Sequence, residues 1–197
     1  MKQLTFLLLC AAFIGLSFTN PASNAVVVYK VDAATSTVKW TASKVTGKHF
    51  GKVTIKSGAL EMNKTKLVKA SFEVDMTTLT VEDGGGNERL RGHLMADDFF
   101  GTAKFPSASF VTTKVTAKDK LGNFTVAGNM TIKGITKAIT FDAKVKTEGS
   151  KSVGTAVIKL DRTDYDIKFR SGKFFPDLGD KLIYDEFELE VSLVAAK

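Results

Sequence analysis

Two histidines, a pair of adjacent aspartates and an arginine flanked by acids are the residues whose types and spacing suggest chemistry in this sequence. His93 and Asp97 stand four apart with Asp98 next to them, so a helix would carry the histidine and the first acid on one face, as two members of a metal site. No third ligand can be named, and the competing reading is a histidine that caps or braces its helix. His49, beside Gly47 and Lys48, reads as an exposed turn residue. Arg162, Asp164 and Asp166 alternate with Thr163 and Tyr165, as along one edge of a strand. An acid and base pair would need one carboxyl kept protonated, whereas a neighbouring arginine keeps both ionised, so this group reads as structural ion pairing. Beyond Cys10 there is no cysteine, there is no Gly-x-Ser-x-Gly elbow, and Gly84 to Gly86 lacks phosphate-binding spacing. The expectation is a protein that is not an enzyme, with no catalytic residues, no metal and no cofactor.

The elements that would position these residues are strands. Val27 to Val31 opens the series. Val38, Trp40 and Ala42 then alternate with Lys39 and Thr41, and Val53 and Ile55 with Lys52, Thr54 and Lys56. Val68, Ala70, Phe72, Val74 and Met76 form an apolar row against Lys69, Ser71, Glu73 and Asp75. The pattern resumes in Ala108 to Ala117, in Phe124, Val126, Met130 and Ile132, and in Ile139, Phe141, Ala143 and Val145. Ala156, Ile158 and Leu160 continue it, and Ile183 to Leu193 closes it. Period-two alternation means one buried and one wetted face. Eight or nine such strands joined by short turns predict an antiparallel meander that closes into an eight-stranded barrel, with a two-sheet sandwich as the competing fold.

One stretch breaks the pattern. From Asn87 to Pro106 the spacing of Leu90 and Leu94 predicts a short helix inserted mid-chain, with Asn87 as its N-cap and Phe99 and Phe100 just beyond it. His93-Leu94, Asp97-Asp98-Phe99-Phe100 and Phe105-Pro106 resemble the "HL…DFFD…FP" signature of the YceI-like family, with Gly101 where the family usually has Asp. Gly128 to Lys137 is similar to that family's "G-x-L-T-I-x-G-V-T-K" hairpin, Asp161 to Tyr165 to its Asn/Asp-Arg-x-Asp-aromatic segment, and Leu178-Gly179-Asp180 to its "LGD". Gly51 to Leu60 resembles its early strand pair. The resemblance runs from Val26 to Lys197 and implies a lipocalin-like barrel that binds a polyisoprenoid or another long-chain lipid.

Residues 1–25 read differently. Lys2, an apolar run from Leu4 to Phe18, and Ser23-Asn24-Ala25 have the form of a secretion signal cleaved after Ala25, which would leave a soluble periplasmic or secreted protein of residues 26–197. Leu9 stands where lipidation at Cys10 would need a small residue. Removing Lys2 takes the net charge from +7 to +6. The lysines alternate along strands, as a solvated sheet face does, rather than clustering with stacking aromatics, so nucleic acid is not an expected partner. Transient contact with an anionic membrane surface fits the charge better, and a homodimer is the other association considered.

Fifteen phenylalanines less Phe6, Phe13 and Phe18 leave twelve for the folded part. By strand parity and by analogy with the family, Trp40, Phe72, Leu94, Phe99, Phe100, Phe110, Phe124, Met130 and Phe141 are the candidate lipid-lining residues. The loop from Phe169 to Lys181, with three phenylalanines among Gly, Pro and charges, either folds onto the outer wall or forms an apolar lip at the mouth of a pocket. The rival expectations are a packed, ligand-free structural or stress-response barrel and a metal-dependent enzyme using His93.

Overall fold

The computed structural model describes residues 25–197, so the expected secretion signal lies outside the described residues except for Ala25. Nine strands run β1 (Val27–Val31), β2 (Thr37–Lys44), β3 (Gly47–Asn63), β4 (Lys66–Asp75), β5 (Ser107–Ala117), β6 (Asn123–Ile132), β7 (Ile135–Glu148), β8 (Lys151–Asp161) and β9 (Ile183–Ala196), with one helix, α1 (Glu88–Met95), between β4 and β5. All pair antiparallel, and β3–β4 pairing closes the sheet into a barrel of eight positions. There are nine strands for eight positions because β1 and β2 share one: both lie between β3 and β9, β2 along Gly47–Val53 and β1 along Ala59–Met62. At the jog between them Ser36 substitutes for the ladder, its hydroxyl accepting from Val194 N at 2.9 Å.

The alternation read from sequence becomes inside and outside. Val53 and Ile55 are buried between exposed Lys52, Thr54 and Lys56, and Phe187, Val191, Leu193 and Ala195 fill the interior from β9. One expected inward residue turns outward: Val68 is exposed and Leu67 is buried in its place. The register slips between Glu61↔Lys69 and Met62↔Leu67, so β4 carries an extra residue there and parity inverts before the bulge. The β6–β7 hairpin turns on Lys133 and Gly134, both at positive φ (51° and 73°), the primed geometry that fits strand twist.

Two long segments, 76–106 and 162–182, leave the same end of the barrel as the β2–β3 and β6–β7 hairpins. That end is the mouth. Val27 and Lys197 lie at the opposite end, where Val27 faces Met62 and the Lys197 amide donates to Ser150 O. At mid-height Gly128 lets the Phe110 ring lie flat against β6, since a Cβ there would sit 2.4 Å from that ring and 2.5 Å from Val111 O. Gly128→Ala is therefore expected to lower stability by about 1–3 kcal/mol or more through overpacking. Urea unfolding followed by tryptophan fluorescence reads this as a lower midpoint at unchanged slope.

Candidate functional site

The mouth is built from two polar-pinned segments that carry apolar side chains inward. Asp75 caps the first by accepting from Thr77 N at 2.9 Å, and the chain then runs beside β3, Thr80 N donating to Lys52 O and Glu82 N to Phe50 O. Gly51 permits this flush contact, and the Trp40 indole nitrogen donates to Thr80 O at 3.1 Å. His49 is not the exposed turn residue expected: it lies inside β3, half-buried, with Nδ1 2.7 Å from Asp83. Burial works to raise the Asp83 carboxyl, but His49 and the Phe50 amide outweigh it and hold it below its ordinary value.

Helix α1 then crosses the opening. Asn87 caps it through Leu90 N, as expected from sequence, and Arg91 reaches back to Leu79 O and Thr77 O. After the helix, Phe99 N donates to Ala96 O, Phe100 N to Leu94 O and Gly101 N to Ala96 O. This tight turn buries Phe99 and half-buries Phe100. Gly101 sits at φ +56°, left-handed backbone that Gly adopts freely and Asp tolerates better than most residues. The one departure from the family signature thus preserves the turn.

The second segment is where the expected strand edge is corrected. Arg162–Tyr165 is a 3₁₀ turn, because Asp161 accepts from both the amide and the hydroxyl of Thr163 and bends the chain out of β8. Arg162 pairs with Asp185 of β9 at 3.1 Å rather than with Asp164 or Asp166. Its guanidinium, only 5% exposed, also donates to four carbonyls, those of Ile167, Phe169, Ile183 and Tyr184. Burial pulls the Arg162 pKa down, opposed by Asp185 and Asp161. Beside it, burial works to raise the Asp161 carboxyl, but Lys173 and Thr163 outweigh it and hold it below its usual range.

The two segments meet at His93. Its Nε2 lies 2.9 Å from Asp98, and its ring stands edge-on to Phe99 and Phe169 at 4.8 and 4.6 Å. Bracing, rather than ligation, is what this geometry provides, and among the described residues no three His, Cys, Asp or Glu side chains converge as metal ligands. The Phe169 loop turns to the mouth and not onto the outer wall. Phe169 packs inward on His93 and Phe99, while Phe174 and Phe175 stay 47% and 46% exposed at the mouth.

Beneath this cover lies a cavity of about 100 Å³ whose wall presents apolar surface. Trp40, Phe72, Leu94, Phe99, Phe100 and Met130 line it, as strand parity and family analogy suggest. Phe110 and Phe141 instead line a second void of about 40 Å³ deeper in the barrel, to which Phe72 also contributes. Phe124 is buried core that lines neither. The sequence reading omitted Leu79, Ile167, Phe187 and Leu189 from the upper wall. Parity could have supplied Phe187 and Leu189. Leu79 and Ile167 stand on irregular backbone that has no period to read.

Residues 29–195 match the sequence profile of the YceI-like domain. The chain belongs to the YceI-like family. It is 31% identical over 150 residues to a UPF0312 protein of Shewanella denitrificans, covering 74% of this chain and 76% of the relative. A UPF0312 protein of Shewanella sp. strain ANA-3 is 30% identical over 173 residues, covering 83% and 89%. Among solved structures, this YceI-like barrel resembles BcnA of Burkholderia cenocepacia, with a TM-score of 0.67, 20% identity, and 84% and 99% of the two chains covered. It also resembles a polyisoprenoid binding domain from Saccharophagus degradans, at 0.64 and 15% identity, with 85% and 97% covered.

Two substitutions test the polar frame of this YceI-like mouth. Arg162→Leu leaves four carbonyls without a donor and the partly buried Asp185 with only Lys173, 3.9 Å away, so a loss of about 3–5 kcal/mol is expected in denaturant unfolding. Tyr165 is 1% exposed and its hydroxyl has no partner, and burial, with Asp164 adding to it, pushes its pKa up to about 12. The unfolded chain ionises this phenol from its ordinary value of 10.0 while the folded one keeps its proton, so stability drains away as pH rises from 10.0 to about 12. Tyr165→Phe should flatten that alkaline loss, measured as unfolding midpoint against pH, and be neutral or slightly stabilising at pH 7.

Proposed function

We propose that this protein is an exported, non-enzymatic carrier of a polyisoprenoid or another long-chain lipid. The observation that carries the reading is the apolar cavity at the covered mouth, walled by the aromatic pair of the helix turn. Hydrocarbon leaving water for such a wall gains about 0.8 kcal/mol per methylene, and a wall without accessible polar groups selects for chains without them. The polyisoprenoid binding domain of similar fold supports the ligand class, and the form of residues 1–25 supports export.

The closed cavity is small. An engineered dry cavity of about 150 Å³ accommodates one benzene, and this one measures about 100 Å³, so a long chain is accommodated only when the cover yields. The cover is suited to yielding. Leu94, Phe99 and Phe100 belong to an eight-residue helix and its turn, held by Arg91, His93 and edge-on aromatic contacts and not by sheet pairing. The same small volume favours a second reading, a packed scaffold with no ligand.

Native mass spectrometry of detergent-free protein from an exporting host, with extraction of whatever it releases, separates the two. The carrier reading predicts a bound mass in the polyprenyl or fatty-chain range. Phe99→Ala should abolish that mass while costing less stability, measured on emptied protein, than a core truncation. The scaffold reading predicts bare polypeptide before and after incubation with isoprenoid lipids, and for Phe99→Ala the full core-truncation loss of about 3–5 kcal/mol.

A further inference from the structure

The barrel wall has a second weak place, away from the mouth. β7 and β8 pair only from Ala143↔Ala156 down to Glu148↔Lys151. Above that point β7 continues from Ile135 to Asp142 paired with β6 alone, and β8 continues from Val157 to Asp161 paired with β9 alone. The strands part like an open seam. The 3₁₀ turn at Arg162–Tyr165 lies against β7 and fills the upper part, where Lys133 Nζ donates to Asp166 O at 3.2 Å. The lower part has no such cover. Ile139, Phe141 and Ala143 occupy inward-facing positions yet are only half-buried, whereas Val145, the next inward residue and the first below the seam, is buried.

At the foot of the seam the wall is one small residue thick. The deeper apolar void and a broad polar groove on the outside, about 720 Å³, share Ala143, Thr155, Ala156 and Val191. Inside stand Phe110 and Phe141, with ring centroids 5.1 Å apart. Outside stand Lys39, Lys118 and Lys144 with Asp119, Asp142 and Glu190. A charged groove facing an apolar void across two alanines matches a single-chain amphiphile, polar end out and hydrocarbon in.

We propose that the β7–β8 seam is a side passage by which one hydrocarbon chain reaches the deeper chamber of the barrel. This rests on the carrier reading and adds a route to it. The chain would part Ala143 from Ala156 and displace Phe141, the half-buried ring on the unpaired strand. Yielding of the cover at the mouth would then be needed to enlarge the upper cavity, not to admit the chain.

The test is kinetic. In a Cys10→Ser chain, Thr155→Cys places a thiol on the exposed side of the seam and Phe174→Cys places one at the mouth. Both positions are exposed, so folding should survive. Each variant is coupled to a polyethylene-glycol maleimide, and uptake of cis-parinaric acid, an 18-carbon chain that fluoresces in apolar surroundings, is followed by stopped flow. The Thr155 adduct should slow uptake and release alike by about tenfold, a spread typical of association rates within one site, with affinity unchanged, while the Phe174 adduct leaves both rates alone. An unchanged rate with the Thr155 adduct overturns the side passage, as does equal slowing by both adducts. Failure of the unmodified protein to take up any probe removes the carrier reading itself and the passage with it.

Discussion

Strand β3 is the piece on which closure depends. Over seventeen residues it meets β2 and then β1 along one edge, and segment 78–82 and then β4 along the other. One strand therefore ties β1 and β2 to β4 and also anchors the start of the mouth, while β9 pairs with β1 and β2 to join the ends of the meander. A closed sheet has no free edge to satisfy, so the interior can be left to apolar side chains. Where pairing lapses, between β7 and β8, inward residues lose burial at once. The seam and the filled wall are two outcomes of the same requirement.

Polar groups are placed to serve that closure. Arg162 donates to four carbonyls and pairs with the Asp185 carboxylate, so a charge sits beside an apolar cavity wall. Desolvating it would be costly alone, and the four carbonyls with the Asp185 charge make it a pin. Asp161 and Asp75 act similarly at strand ends, each turning the chain by accepting from a threonine two residues on. The cavity is apolar because its polar neighbours are already occupied with one another.

The barrel was legible in the sequence because alternation is a local signal and β2, β6 and β9 keep their parity. Val68 fails for a nonlocal reason: the bulge that expels it is set by where β4 must rejoin β3, and nothing in residues 66–75 announces it. Arg162, Asp164 and Asp166 mislead because their alternation reads as a strand edge, whereas the buried pair Arg162 and Tyr165 stands three apart, the period of a 3₁₀ turn, which the capping Asp161 starts. His49 looks like a turn residue until Asp83, 34 positions away, is brought beside it. The lining follows the same division, with strand residues readable by period and Leu79 and Ile167 readable only after the segments fold. Phe124 and Phe110 show the remaining limit, since parity says inward without saying at what height.

Val27, where the first strand begins, and Lys197 sit at the base of the barrel, opposite the mouth. A linker, label or solid support attached at either one therefore stands a full strand length from α1 and the Phe169 loop, and leaves them facing outward. Any arrangement that fixes the barrel at Val27 or Lys197, whether on a sensor chip or beside another domain, presents the covered opening to whatever approaches.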